Sequence, residues 1–453
     1  MTAGQYSDDL ADVFTYELCS YPPALFESKI ILREASTATL ADALWKYMPG
    51  DIPMPSKNVQ YILDGGALLH RVPWSKGDTY ENICQKYVRY IFTHYGTPFV
   101  VFDGYQAGPG TKDVAHRRRS STYVDATVQV SALMVFKGKR EDFLSNKGNK
   151  HRFITLLRDH LERHGCHTEQ ATADADLLIV QTAIAVSKRT SNPTVVVGDD
   201  TDLLVLLCFH AKSTTAGIFF RPEPKHGVKH PPKCWSISLL RSVVGPQVYN
   251  NILFIHAVLG CDTTSGIYGL GKKAALKLMS TSTSFRSYAK VFSDPQSSKV
   301  DIIASGEDAL VALYKGRPGD KLDLLRLQKF HQKVMISQSV VDPKVLPPTS
   351  AAAAFHSLRV YLQVQQWMGK DPVQPMNPEN WGWCKQGRQL LPILTDKEPA
   401  PRNLLEMVRC NCKAGCSTRQ CTCRKHELEC STGCGQCRGV CSNMNSVLDE
   451  DDE

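Results

Sequence analysis

Tyr61-Ile62-Leu63-Asp64-Gly65-Gly66, Val100-Val101-Phe102-Asp103-Gly104 and Val197-Gly198-Asp199-Asp200-Thr201-Asp202 share one pattern, a short apolar run that closes on aspartate and small residues. Runs of this length, rich in Val and Ile, read as strands buried on both faces. They predict strands over Val59 to Leu63, Pro98 to Phe102 and Thr194 to Gly198. Between them, Ile83, Tyr87, Val88, Ile91 and Tyr95 fall on one face of a helix, and further helices are expected around Phe153 to His164 and Asp174 to Ser187. The apolar run Leu203 to Phe209 follows the third strand. Strands alternating with helices predict an α/β fold, a central parallel sheet with right-handed crossovers whose ligands gather at the carboxyl ends of the strands.

Those ends carry the aspartates. A fourth acidic group, Ala173-Asp174-Ala175-Asp176, opens an apolar helix, where exposed amides and the helix dipole favour negative charge. Taken singly, each aspartate reads as a turn residue or a helix cap. Taken together they repel unless a cation lies among them. Hard Mg²⁺ or Mn²⁺ ions take oxygen ligands, and hydrolysis of a phosphodiester by two ions needs several carboxylates converging on one pocket.

The order of these groups, continued by Val258-Leu259-Gly260-Cys261-Asp262 and by Gly266-Ile267-Tyr268-Gly269-Leu270-Gly271-Lys272-Lys273, resembles the flap endonuclease and XPG-like family of PIN-like nucleases. The resemblance spans residues 59–290. It implies that Asp64, Asp103, Asp174, Asp176, Asp200, Asp202 and Asp262 hold two Mg²⁺ or Mn²⁺ ions, with Asp199 flanking them. It also implies a helix-hairpin-helix element in which Gly269, Gly271, Lys272 and Lys273 grip duplex phosphates, with a bound K⁺. Lys112, Arg117 and Arg118 would contact the scissile phosphate. The implied partner is DNA, a duplex with a single-stranded branch or end. Two features depart from the family: the helix pair is Asp174 and Asp176 where Glu is commoner, and Asp64 is preceded by 63 residues.

Nine of the 16 cysteines lie between Cys410 and Cys441, at Cys410, Cys412, Cys416, Cys421, Cys423, Cys430, Cys434, Cys437 and Cys441. So polar a segment has no apolar core to fold around, and an odd number of thiols does not pair off as disulfides. Zinc is the better staple: three ions need four thiolates each, and nine suffice if three bridge pairs of ions. The spacing resembles the tesmin-like CXC domain, which implies DNA binding. Arg419, Arg424 and Lys425 offer a basic surface, while Gln420 stands where better-known members carry a minor-groove Tyr.

The expected organisation is an N-terminal extension (1–58), a nuclease-like domain (59–290), a helical and irregular connecting region (291–402), the CXC module (408–445) and an acidic tail (446–453). The formal charge of +8 includes that tail, so the body is more basic than the total and suits a polyanion. No stretch is apolar for the eighteen or so residues of a membrane helix, and the first residues lack the pattern of a secretory signal. A soluble protein of the nucleus is expected. Two further readings stay open: a PIN-like DNA- or chromatin-binding protein without turnover, and a transposon-derived protein whose 1–58 and 300–402 segments serve assembly. Oligomeric state has no signature here.

Overall fold

The computed structural model describes residues 10–50, 52–55, 57–104, 110–112, 127–190, 192–211, 217–223, 233–336, 340–369, 376–387, 389–407, 409–413, 415–426, 428–430 and 434–443. The chain divides into two compact units. One is built from Ser36–His256 with Gln366–Lys370, the other from Met1–Ala35, Ala257–Gln365 and Asp371–Glu453.

The Ser36–His256 unit is organised by a six-stranded sheet: β1 (Gln60–Asp64), β2 (Phe99–Phe102), β3 (His167–Gln170), β4 (Thr194–Val197), β5 (Ile218–Arg221) and β6 (Trp235–Ser236). The strand order is β3-β2-β1-β4-β5-β6. The first five strands pair in parallel, as expected. The edge differs: the two-residue β6 returns antiparallel to β5. β4 is buried along its whole length, which is why it reads as an unbroken β-branched run.

Helix Tyr80–Tyr95 starts where Thr79 accepts a hydrogen bond from the Asn82 amide and stops at Gly96, whose φ of +67° suits glycine. Its Ile83, Tyr87, Val88, Ile91 and Tyr95 are buried against Val100, Phe102, Phe153, Leu157, Val195 and Val197, so the predicted face is the core face. Helix Lys147–Arg163 contributes Phe153 and Leu157 to the same core. Helix Thr201–His210 is apolar on every side from Leu203 to Cys208 and every one of those residues is buried.

The other unit contains helices Lys272–Thr281, Thr283–Ser293, Lys299–Leu313 and Leu322–Ile336, with two hairpins, Phe26–Ser28/Ile31–Leu32 and Trp383–Gln386/Gln389–Pro392. Residues near the N-terminus are integral to it. Arg326 is fully buried, donates to the Glu17 carbonyl (2.7 Å) and the Pro347 carbonyl (2.6 Å), and lies 3.5 Å from the Glu17 carboxylate. Glu17 in turn accepts from the Thr349 amide at 2.8 Å. Among the described residues no helix is long and apolar enough to cross a membrane.

Candidate metal centres

In the strand order β3-β2-β1-β4 the chain direction of addition reverses between β1 and β4, which opens a crevice beyond their carboxyl ends. Asp64 ends β1, Asp103 follows β2, Asp174 and Asp176 follow β3, and Asp200 and Asp202 follow β4. Asp64 caps helix Gly65–Leu69, accepting from the amides of Gly66 (2.8 Å) and Ala67 (3.2 Å). A Cβ on Gly66 would stand 3.1 Å from Asp64 Oδ1 and 3.3 Å from Asp103 Oδ2, so the absent side chain leaves room for both carboxylates. Asp200 caps helix Thr201–His210 through the Asp202 amide at 2.9 Å. Asp176, Asp200 and Asp202 each bring a carboxylate oxygen within 4.8 Å of the other two.

Burial and mutual repulsion set the charge state. Burial, then Asp103 and Asp176, push the Asp64 carboxyl up to about 7. Burial and Asp176 raise Asp174, and burial and Asp202 raise Asp200, both well above the usual carboxylate range. Lysine side chains answer them. Lys112 Nζ lies 2.7 Å from Asp174 and 3.1 Å from Asp176; burial works against its charge, yet Asp176, Asp174 and Asp202 hold its pKa above the ordinary lysine value. Lys150 approaches Asp103 at 3.9 Å. Carboxylate oxygens in this excess over ammonium groups fit a hard divalent cation.

Of the other expected residues, Asp199 stands apart, paired with Arg71 and accepting from the Glu223 amide. Asp262 lies in the turn Cys261–Thr264, in the second unit. Arg117 and Arg118 lie outside the described residues. Sequence reasoning missed His256. It is fully buried, its Nε2 lies 2.6 Å from Asp202 Oδ1, and it stacks on Trp367 with ring centroids 5.5 Å apart. Its only signal was a lone polar residue in the helix Ile252–Val258.

The glycine hairpin precedes helix Lys272–Thr281. Gly269 has φ of +75°, Gly271 caps the helix, and nothing lies within 4 Å of where a Cβ would stand on either, so a ligand can approach the backbone. Lys273 is exposed. Lys272 departs from the expected surface contact: it is buried, and Nζ donates to the Gly260 carbonyl at 2.5 Å, so its burial is met by a hydrogen bond.

No protein-family model matches the chain, and no curated protein sequence does either. Solved structures do. The chain is similar to the catalytic core of Rad2 in complex with DNA substrate, at 14% identity and TM-score 0.40 over 76% of this chain and 90% of that one. It is similar to the T5 D15 protein co-crystallized with metal ions, at 14% identity and TM-score 0.33 over 69% and 99% of the two chains. The eukaryotic junction-resolving enzyme GEN-1 binding sodium matches at 13% identity and TM-score 0.36 over 75% and 66%.

The cysteine module is a second candidate centre. All 16 cysteines are unbridged. Six of the nine clustered ones, Cys410, Cys416, Cys421, Cys423, Cys430 and Cys434, form a buried core of their own. Sγ pairs stand 3.5–3.8 Å apart. Four thiolates around an ion at about 2.3 Å would be separated by roughly 3.8 Å, the edge of the tetrahedron, whereas a disulfide is about 2.05 Å. The thiols fit a tetrahedral ion.

Three groups of four emerge: Cys410, Cys412, Cys416, Cys421; Cys410, Cys423, Cys430, Cys434; and Cys410, Cys416, Cys430, Cys437. Cys441 interacts with Cys430, Cys416 and Cys437. Arg419 and Lys425 are exposed beside them. Arg424 is turned inward instead, donating to the carbonyls of Cys416 (2.9 Å) and Ser442 (3.0 Å), so it ties the module together where a phosphate contact had been expected.

Proposed function

We propose that this protein is a divalent-metal-dependent nuclease of PIN-like type that hydrolyses phosphodiester bonds in DNA, acting on duplexes with a single-stranded branch or end. The observation that carries the reading is the convergence of Asp176, Asp200 and Asp202 oxygens within 4.8 Å, beside Asp64 and Asp103, at the sheet's switch point. Asp64, Asp103, Asp174, Asp176, Asp200 and Asp202 would hold two Mg²⁺ or Mn²⁺ ions. When bound, such a pair supplies an activated water and stabilises the leaving oxygen.

The chain's own groups orient the substrate. Lys112, with Arg117 and Arg118, would exchange carboxylate contacts for the scissile phosphate and neutralise charge that develops there. The open amides of the Gly269–Gly271 turn, aided by Lys273 and a K⁺ ion, would hold a duplex phosphate. The cysteine module would add a zinc-dependent grip through Arg419 and Lys425 and carry the protein to nuclear DNA.

Three zinc ions use all nine thiols in one arrangement. Cys410, Cys416 and Cys430 recur between groups and act as bridges. Cys412 with Cys421, Cys423 with Cys434, and Cys437 with Cys441 then complete one ion each.

A second reading, a DNA- or chromatin-binding PIN-like protein without turnover, is favoured by Lys112, whose ion pairs with Asp174 and Asp176 already offset part of the site's charge. Purified protein incubated with labelled flap, junction, hairpin and single-stranded substrates in Mg²⁺ or Mn²⁺ separates the two. The nuclease reading requires products from the wild type that Asp200→Asn/Asp202→Asn fails to give; equal products from both, or none from the wild type, reject it.

A further inference from the structure

His256 is the one polar side chain in the helix Ile252–Val258, whose other residues are Ile252, Leu253, Phe254, Ile255, Ala257 and Val258. Its ring and the Asp202 carboxylate are 0% and 4% exposed and meet at 2.6 Å. Burying such a pair costs several kcal/mol of desolvation per ionised group, and an apolar pair of the same volume would pack at less cost. The pair therefore adds something other than stability. Asp202 is one of the three carboxylates whose oxygens converge. A carboxylate tethered through one oxygen loses its freedom about χ2, and its remaining lone pairs are held toward a constant point.

The ring is itself held. Trp367 stacks on it at an interplanar angle of 21°, and His210 Nε2 meets the Trp367 carbonyl at 2.8 Å, fixing the tryptophan's backbone to helix Thr201–His210, the helix that carries Asp202. A closed circuit runs from Asp202 through His256, Trp367 and His210 back to the same helix. Rotation of the Asp202 side chain would break a bond that this circuit keeps in register.

We infer that His256 is a positioning residue for the carboxylate centre, fixing Asp202 in the rotamer that receives a divalent cation. The inference rests on the metal-dependent reading above. It assigns to the ion site a side chain 54 residues from its carboxylate, carried by the helix Ile252–Val258.

The test uses the full chain, zinc-loaded, well below its unfolding midpoint. Mn²⁺ binding is read from the electron paramagnetic resonance of the free ion, subtracting what Asp200→Asn/Asp202→Asn still binds. His256→Leu, apolar and close in volume, should weaken Mn²⁺ binding about 10- to 100-fold. His256→Gln, which restores an N–H donor, should recover to within about threefold of wild type.

A second readout does not need the leucine variant to fold. The downfield imidazole proton of the wild type should shift when Mg²⁺ saturates the site, because Asp202 then shares its charge with the ion. Equal Mn²⁺ affinity in wild type and His256→Leu, or an imidazole proton that saturating Mg²⁺ leaves in place, overturns the positioning role and leaves the nuclease reading standing. A wild-type chain with no Mn²⁺ affinity beyond the double variant overturns the metal-site reading, and the inference with it.

Discussion

Lys112 Nζ lies 2.7 Å from Asp174 Oδ1, so an ammonium group competes for oxygens that a divalent ion would use. Removing it should separate binding from turnover. We expect Lys112→Met to raise Mn²⁺ affinity by about tenfold, since one competing charge is gone. The same variant should lower cleavage by about 100-fold through loss of charge stabilisation at the phosphate. Calorimetric titration and single-turnover cleavage of one preparation measure both.

Asp64 governs how the metal-free protein responds to pH. Its carboxyl is raised from 3.8 to about 7 in the folded chain, so folding is favoured when it is protonated. Its destabilising effect is absent below about pH 4, grows as pH rises through the window to about 7, and is complete above it. Allowing for partial solvent screening, the loss is about 1 to 2 kcal/mol. Thermal melts without divalent cation should fall between about pH 4 and pH 7, with little further change above. Asp64→Asn should flatten the fall, and Mg²⁺ should reverse it in the wild type alone.

Two glycines should respond differently to alanine. A Cβ on Gly104 would stand 2.1 Å from the Ala171 carbonyl oxygen, a backbone atom that cannot swing aside, so Gly104→Ala should cost about 3 kcal/mol and lower the unfolding midpoint. At Gly66 the neighbours are the Asp64 and Asp103 side chains at 3.1 and 3.3 Å, which can move. Gly66→Ala should keep stability to within about 1 kcal/mol and reduce cleavage about tenfold, because the carboxylates shift.

Zinc content should sort the thiols. In the three-ion arrangement proposed above, losing a bridging thiol (Cys410→Ser, Cys416→Ser or Cys430→Ser) would remove a ligand from two ions, whereas Cys412→Ser would remove one from a single ion. We expect native mass spectrometry to find three ions in wild type, two in Cys412→Ser and at most one in Cys430→Ser. Equal stoichiometry in both variants would reject the bridging assignment.

Legibility followed burial and sequence separation. β1, β2 and β4 were readable because both faces are covered, and their aspartates because a strand end is a local feature. β3 was not: His167-Thr168-Glu169-Gln170 pairs only with β2 and carries polar side chains, so nothing apolar marked it. β6 is two residues long. The face of helix Tyr80–Tyr95 was readable from its period alone. Lys272 and Arg424 were expected to meet phosphate, yet Lys272 donates to the Gly260 carbonyl and Arg424 to the carbonyls of Cys416 and Ser442, contacts across 12, 8 and 18 residues that only tertiary folding brings about. His256 and Asp202 are joined only by tertiary folding, and no spacing rule reaches across 54 residues.

The Glu17–Arg326 contact spans 309 positions of chain. A ribosome adding about 5–20 residues per second needs roughly 15–60 seconds to make Arg326 after it has made Glu17. During that interval residues 36–256 are made, while residues 10–35 still lack Arg326 and the other later-made partners of their own unit. Phe14, Leu25, Phe26 and Leu32, buried in the finished protein, wait for those partners, so their protection during synthesis is a matter of timing and of chaperones before it is a matter of packing.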